Sequence, residues 1–426
     1  MNKTKETFVF GFALFAGFFG AGNLILPPML GFKSGSDWWL VTVGFVISAT
    51  LIPLLALLGH AKLQGTLYDF GKKVSHSFSM VFLLIIYVIC IVLPSPRTAA
   101  VTHEMAIAPF FGTSALLTSI IYFTLVFLFV LNRNKVLNII GKYLTPIIAI
   151  ILLAIIYIGI FSANTEMIST SFNSPIISGL LEGYQTYDAI GAMVMGGVII
   201  VTINNSKSTL TFAEKKTMIA KSGMIAVTGL LLIYGGLIAV GAFFNTQFDV
   251  NISRAELLSG ISLLTLGKLG TAFLSVLVGL ACFTTAVSII VSIADFFTMY
   301  FKKFKNAYLI TSFICCSAGI LIGQMKVEYI INVALPALMI IYPLCIVLII
   351  LNVLPEKFAS KLVFKWVVLI TFIFSIPDFL GFLMPLENLN SIKAIIPLAN
   401  ENLGWVLPAL LTFILVNLIK KLKAKN

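Results

Sequence analysis

Charge is what this sequence has least of. Only 10% of its 426 residues are Asp, Glu, Lys or Arg, against 59% that are hydrophobic. A water-soluble domain carries about 25% charged residues, so that class is excluded and the composition is that of a polytopic membrane protein. Histidine is almost missing. His60, His76 and His103 are scattered, with no metal-ligand spacing, no serine–histidine–acid arrangement and no P-loop in the chain, which leaves no basis for an enzyme or a primary pump. The five cysteines, Cys90, Cys282, Cys315, Cys316 and Cys345, all sit in apolar runs without a C-x-x-C pair. They read as small packing residues, not as a disulfide framework or metal site. Long polar connections are lacking too. The longest extramembrane stretches, around 161–176, 245–263 and 386–401, are too short for an aqueous domain, so the chemistry must happen among helices.

What the chain does have is long apolar runs. Crossing about 30 Å of hydrocarbon takes about 18 or more apolar residues. About twelve such spans can be drawn, near 8–31, 38–59, 78–108, 114–131, 137–160, 177–204, 219–244, 264–300, 307–325, 329–353, 363–385 and 402–420. The expected fold is all-α, with about 12 transmembrane helices in one transporter-type domain. The first apolar run reaches about Leu30, too far for a signal-peptide core, and counts as span one.

The net charge of +12 is a topology signal. Most of the basic residues fall in alternate connections, for example Lys72 and Lys73, Lys215 and Lys216, Lys302 and Lys303, and Lys420 and Lys421. The positive-inside rule then places both termini in the cytoplasm, which needs an even number of spans. The same distribution argues against a nucleic-acid partner.

Two spans are interrupted. Span one reads LFAGFFGAGNLILPPML, Leu14 to Leu30, and span six reads GYQTYDAIGAMVMGG, Gly183 to Gly197, with Asp188 at membrane depth. Pro27 and Pro28 have no amide hydrogen, which leaves the carbonyls of Asn23 and Leu24 without their helical partners. Asn23 is placed to cap a second half-helix starting near Leu24. Unpaired backbone in hydrocarbon survives only where protein, water or a ligand satisfies it. Such a break offers amides to an anion and carbonyls to a cation, and an α-amino acid carries both groups. The breaks head two five-span halves, 1–160 and 177–353, with 363–420 supplying two further helices. Five is odd, so the second half would be inverted relative to the first. Paired interrupted helices at matching positions point to a transporter site near the bilayer midplane.

Span eight contains LACFTTAVSII, Leu280 to Ile290. The hydroxyls of Thr284, Thr285 and Ser288 lie along one flank of a helix, where they suit a hard monovalent cation or bond back to their own helix.

Together GFFGAGNLILPP (Gly17 to Pro28), PRTAAVTHE (Pro96 to Glu104), EGYQTYDAIGAMVMG (Glu182 to Gly196) and ACFTTAVS (Ala281 to Ser288) resemble the branched-chain amino acid:cation symporter family of bacteria. The likeness runs through essentially the whole chain. It implies the leucine-transporter-like fold: a 5+5 inverted repeat with broken helices 1 and 6, followed by two extra helices. It also implies a multi-pass protein of the bacterial inner membrane that takes up leucine, isoleucine or valine with Na⁺ and uses no organic cofactor. By that resemblance the amides around Gly20, Ala21, Gly22 and Asn23 hold the substrate carboxylate. A Na⁺ would sit among the carbonyls of Ala16, Phe19 and Ala281 and the hydroxyls of Thr284 and Thr285. A further sodium site is less clearly matched, with Asn23 and Thr186 as its only candidates.

Span six would supply carbonyls from Thr186 through Tyr187, Asp188 and Ala189 to Ile190 for the substrate ammonium. Phe18 or Phe19, Tyr187, Ile190, Met193 and Met195 are the expected apolar pocket. Burying an isobutyl group there contributes about 2–3 kcal/mol, enough to favour leucine over alanine but not to separate the branched side chains sharply. Asp188 can pair with the ammonium, act as a proton-sensitive gate or cap the second half of span six. Arg97 and Glu104, seven residues apart, can form an internal ion pair or an outer gate, and Asp295 can line a cytoplasmic exit path. A proton-coupled carrier, a channel and an amino-acid-sensing receptor are the alternatives at this stage.

Overall fold

Backbone surrounded by hydrocarbon has to satisfy its own hydrogen bonds, and helices do so within one segment. The computed structural model describes residues 3–132, 145–162, 166–169, 172–206, 211–383 and 390–423, and among these it contains helices and no strand. Six helical stretches are long and apolar enough to cross a membrane: Gly22–Leu63, His76–Ile107, Phe212–Phe243, Arg254–Tyr300, Val327–Val353 and Lys361–Leu380. Four shorter apolar helices, Glu6–Phe18, Ala115–Leu131, Pro146–Ser162 and Ala307–Gly323, accompany them. Large apolar side chains such as Phe161, Leu232, Phe313 and Leu411 are exposed on the outside, as expected for faces that meet lipid.

The helices around the buried centre are α1 (Lys3–Phe18), α2 (Ala21–Ser34), α3 (Trp38–Val46), α4 (Ile52–Leu63), α5 (Pro94–Thr102), α6 (Pro175–Tyr184), α7 (Asp188–Ser206), α8 (Phe212–Phe243), α9 (Arg254–Tyr300) and α10 (Val327–Val353). Both predicted interruptions are real. Helix α1 ends at Phe18 and α2 begins at Ala21. In the other, α6 ends at Tyr184 and α7 begins at Asp188, with Tyr187 between them at a φ of 62°. A left-handed tyrosine is costly and usually marks a site where surrounding structure enforces it.

The start of α2 differs from the sequence expectation. Gly20, with extended φ and ψ of −110° and −168°, caps it without a side-chain bond, so the half-helix begins three residues before Leu24. Pro27 and Pro28 lie well inside α2, which continues to Ser34. The break therefore comes from Phe19 and Gly20 rather than from the prolines.

Glycines set how closely these helices approach. A methyl group on Gly31 of α2 would strike the Ile238 carbonyl of α8, and one on Gly241 of α8 would strike the Pro28 carbonyl of α2. The same reciprocal arrangement joins α3 to α6, where Gly44 meets the Ile176 carbonyl and Gly179 meets the Val41 carbonyl. Without a solvent-driven hydrophobic term between membrane helices, close backbone approach is what association relies on.

Two five-residue π-helical stretches, Ile47–Leu51 between α3 and α4 and His103–Ile107 after α5, shift the register of side chains along their helices. Helix α9 bends at Gly267, whose φ is 69°.

Candidate functional site

The two interruptions face each other. Asn23, in the first turn of α2, sends its amide across to Asp188, the first residue of α7: Nδ2 donates to Oδ1 at 2.8 Å and to Oδ2 at 3.0 Å. Tyr234 of α8 donates its hydroxyl to Oδ2 at 2.7 Å and lies against Asn23 Nδ2 as well. Asn23 is 1% and Asp188 2% exposed. A carboxylate this deep needs several donors, and the network supplies them from two other helices, α2 and α8. Asn23 thus serves as a cross-link between the two broken helices and does not cap α2.

Between the halves of span six, the Thr186 hydroxyl donates to the Gly183 carbonyl at 2.8 Å and accepts from the Asp188 amide at 3.2 Å. The Asp188 amide is thereby satisfied by a neighbouring residue, while the Asp188 side chain is free to reach away from its own helix.

Arg97 enters from α5. It is 3% exposed, its guanidinium stands 4.9 Å from the centre of the Tyr187 ring, and Nη1 donates to the Gln185 carbonyl at 2.7 Å. Its Nε is buried without a hydrogen-bond partner. Gly22 lies directly beneath the guanidinium, and any side chain there would displace it. Glu104 is elsewhere. It accepts from the Val327 amide at 2.9 Å and caps α10, so the pairing of Arg97 with Glu104 allowed by their spacing does not form. Seven residues separate them by about 10 Å along a helix, and the π-helical stretch at His103 intervenes.

These residues line a cavity of about 40 Å³, room for a few waters. Of the expected site residues, Phe18, Gly20, Asn23, Arg97, Thr186, Tyr187, Asp188, Ile190, Met195 and Thr285 line it. Ala189 and Met193 are buried but face away from it. Helical phase explains the difference between the two methionines. Asp188, Gly191 and Met195 follow i, i+3, i+7 spacing on one face of α7, whereas Met193 falls on another. Its carbonyl instead meets His60 of α4.

Sequence reading missed Gly17, Cys90, Pro94, Thr98, Gly191, Val194 and Ile289, which complete the wall. A signal existed for some of them. Cys90, Pro94, Arg97 and Thr98 repeat at three- to four-residue intervals, as does Ile289 after Thr285.

The threonine pair divides. Thr284 donates its hydroxyl to the Ala281 carbonyl at 2.9 Å, which leaves its lone pairs available. The Thr285 hydroxyl is buried without a partner, and its side chain packs against Gly20 at the helix break. Phe19 stacks on Phe15 with ring centres 5.2 Å apart, and its amide donates to the Phe15 carbonyl at 2.8 Å. Ala16 is half-buried on the last turn of α1. Asp295 is half-buried further along α9, outside the cavity wall.

A second polar cluster lies beyond Gln185. Its side-chain amide donates to Glu182 at 2.9 Å, and Glu182 pairs with Arg254 at 3.1 Å. Arg254 also pairs with Glu328 at the start of α10.

Residues 3–423 match the family model described as branched-chain amino acid transport protein. The chain belongs to that family. It is 31% identical over 436 residues to the branched-chain amino acid transport system 2 carrier protein of Pseudomonas aeruginosa, with 99% of this chain and 98% of the relative covered. It is also 31% identical to the branched-chain amino acid permease BrnQ of Bacillus subtilis, with 94% of each covered. Among solved structures, a Na⁺-coupled sialic acid symporter in a substrate-bound outward-open state superimposes with a TM-score of 0.60 at 10% identity, covering 97% of this chain and 90% of that one. MhsT in complex with L-phenylalanine gives 0.54 at 15% identity, covering 96% and 97%. At these identities the likeness is one of fold. A member of this family is a multi-pass membrane transporter and not an enzyme, and the interrupted helices sit where its fold brings them together.

Proposed function

We propose that this transporter couples inward Na⁺ movement to uptake of leucine, isoleucine or valine by alternating access. The observation that carries the reading is the buried, unpartnered Thr285 hydroxyl beside the Gly20 break. A hydroxyl oxygen stranded next to irregular backbone suits a small hard cation. Carbonyls of Ala16, Phe19 and Ala281 and the Thr284 oxygen complete the proposed Na⁺ site. Substrate occupies the adjoining cavity, with its branched side chain against Phe18, Ile190, Val194 and Met195. Carbonyls of the Thr186 to Ile190 segment receive its ammonium. The amides of the first turn of α2, from Gly20 to Asn23, face its carboxylate.

The cavity is smaller than such an amino acid, so binding requires its walls to draw back. Na⁺ and substrate share the α1–α2 break, and each should therefore raise the other's affinity by the same factor.

We further propose twelve spans with cytoplasmic termini, arranged as inverted halves 1–160 and 177–353 followed by 363–420. The two interruptions, one in the first span of each proposed half, support that arrangement.

Counterflow of labelled leucine in proteoliposomes, compared in Na⁺, Li⁺ and K⁺ without a pH gradient, tests the reading. Uptake that ignores Na⁺ but follows an imposed pH gradient would replace it with proton coupling. Conduction without saturation would indicate a channel.

A further inference from the structure

A buried guanidinium with an unused donor needs an explanation. Arg97 has five N–H groups in a rigid planar fork. In the structure Nη1 reaches the Gln185 carbonyl and Nε has no acceptor. Such a group is expensive to hold out of water unless an anion meets it at some stage of the cycle. Asp188 is near enough to be felt electrostatically but gives the fork no hydrogen bond, its oxygens accepting from Asn23 and Tyr234.

The surroundings keep the fork aimed at the cavity. The Tyr187 ring lies 4.9 Å from it, on the segment that the left-handed Tyr187 turns inward. Gly22 provides the space it occupies. Beneath it the first turn of α2 begins at a glycine cap with no side-chain hydrogen bond, so unpaired amides and the positive helix end share the same spot. Most of the remaining wall is apolar: Phe18, Cys90, Ile190, Val194, Met195 and Ile289. A guanidinium fork over a helix N-terminus, with an apolar chamber beside it, matches one carboxylate joined to a short aliphatic side chain.

We propose that Arg97 is the residue that binds the α-carboxylate of the transported amino acid, with the first turn of α2 as its partner and the Gln185 carbonyl as the acceptor it exchanges for the substrate. This rests on the substrate reading above and deepens it: Arg97 becomes a specificity residue that requires a carboxylate and rejects amines, amides and alcohols of the same shape.

The test is competition binding to the purified full-length protein, with labelled leucine displaced by leucine, leucinamide, leucinol and 3-methylbutylamine. For the wild type, leucine should compete at concentrations on the order of 100-fold lower than leucinamide, the scale of a buried charged hydrogen bond. Arg97→Gln should bring leucine down to the level of leucinamide and leave leucinamide itself within about threefold. Arg97→Lys, a point charge without the fork, should fall between them. Gly22→Ala keeps the charge and crowds the guanidinium, and should narrow the same ratio. It and Arg97→Lys carry the comparison where Arg97→Gln does not fold. An unchanged ratio of leucine to leucinamide in the variants, or an equal loss of both ligands, overturns the proposal while leaving the substrate reading intact. A wild-type protein that binds no leucine overturns the substrate reading and the proposal together.

Discussion

His60 Nε2 lies 2.9 Å from the Met193 carbonyl while its Nδ1 lies 2.9 Å from the Gly65 carbonyl. Both ring nitrogens of a fully buried histidine therefore face acceptors, and one imidazole clamps α4, the turn after it and α7 together. Gly196, close against the ring, leaves the room for it. Removing the ring takes away the one N–H that a neutral imidazole donates to these carbonyls and opens a cavity, at a cost of about 2–4 kcal/mol. His60→Ala is expected to lower the melting temperature of the detergent-solubilised protein by several degrees, and His60→Gln, which keeps one donor, by less. Equal melting curves for the three proteins would count against the clamp.

Thr285→Ala removes the one stranded hydroxyl beside Gly20. Because its oxygen has no partner within the protein, its loss should cost little stability but abolish Na⁺ stimulation of leucine binding. Thr284→Ala should weaken it too, since the bond its hydrogen makes to Ala281 leaves the oxygen lone pairs available to the cation. Sodium titrations of leucine binding measure both, and a Thr285→Ala protein with normal sodium dependence would sink the assignment.

Asn23→Ala breaks the link between the two interrupted helices and leaves Asp188 with a buried oxygen less well satisfied. A loss of about 2–4 kcal/mol is expected, read as a lower melting temperature together with loss of leucine counterflow. Asn23→Asp should be worse, because it sets a second carboxylate against Asp188.

Gly31→Val would push a branched side chain into the Ile238 carbonyl. Overpacking of this kind costs about 1–3 kcal/mol or more. Gly112, which has open space around it, serves as the control, and Gly112→Ala should leave folding and uptake unchanged in the same expression and transport assay.

Arg254→Ala separates Glu182 from Glu328 and loosens the polar cluster past Gln185. If that cluster closes a path to the cavity, a cysteine placed at Thr98 on the cavity wall, with Cys90 of the same wall replaced by alanine, should react faster with an added charged thiol reagent after Arg254→Ala. Equal labelling rates would show that the cluster does not limit access.

The breaks were legible in the sequence because glycine and an intramembrane acid act locally, whatever packs around them, whereas Pro27 and Pro28 lie inside a continuous helix. Gly20, Gly183 and Asp188 could be singled out without knowing their neighbours. What Asn23, Arg97 and Glu104 do depends on distant partners instead. Asn23 has cap chemistry, yet its amide crosses to a residue 165 positions away. Arg97 and Glu104 share a stripe on paper, but their partners, Gln185 and Val327, come from unrelated parts of the chain. Met195 rather than Met193 lines the cavity because the phase of α7 is set by where it starts, at Asp188. That start depends on the left-handed Tyr187, a backbone state that tyrosine composition does not announce.

The reciprocal glycines at the α2–α8 and α3–α6 contacts place backbone against backbone. Surfaces that fit at that range have no side-chain cushion along which to slide. Each pair must swing as a single lever, and the flexing is left to the short joints at Phe19–Gly20, Gln185–Tyr187 and Gly267. Under the proposed alternating access, opening and closing is a matter of a few hinges carrying stiff arms, and the cavity sits at the pivot where two of those hinges meet.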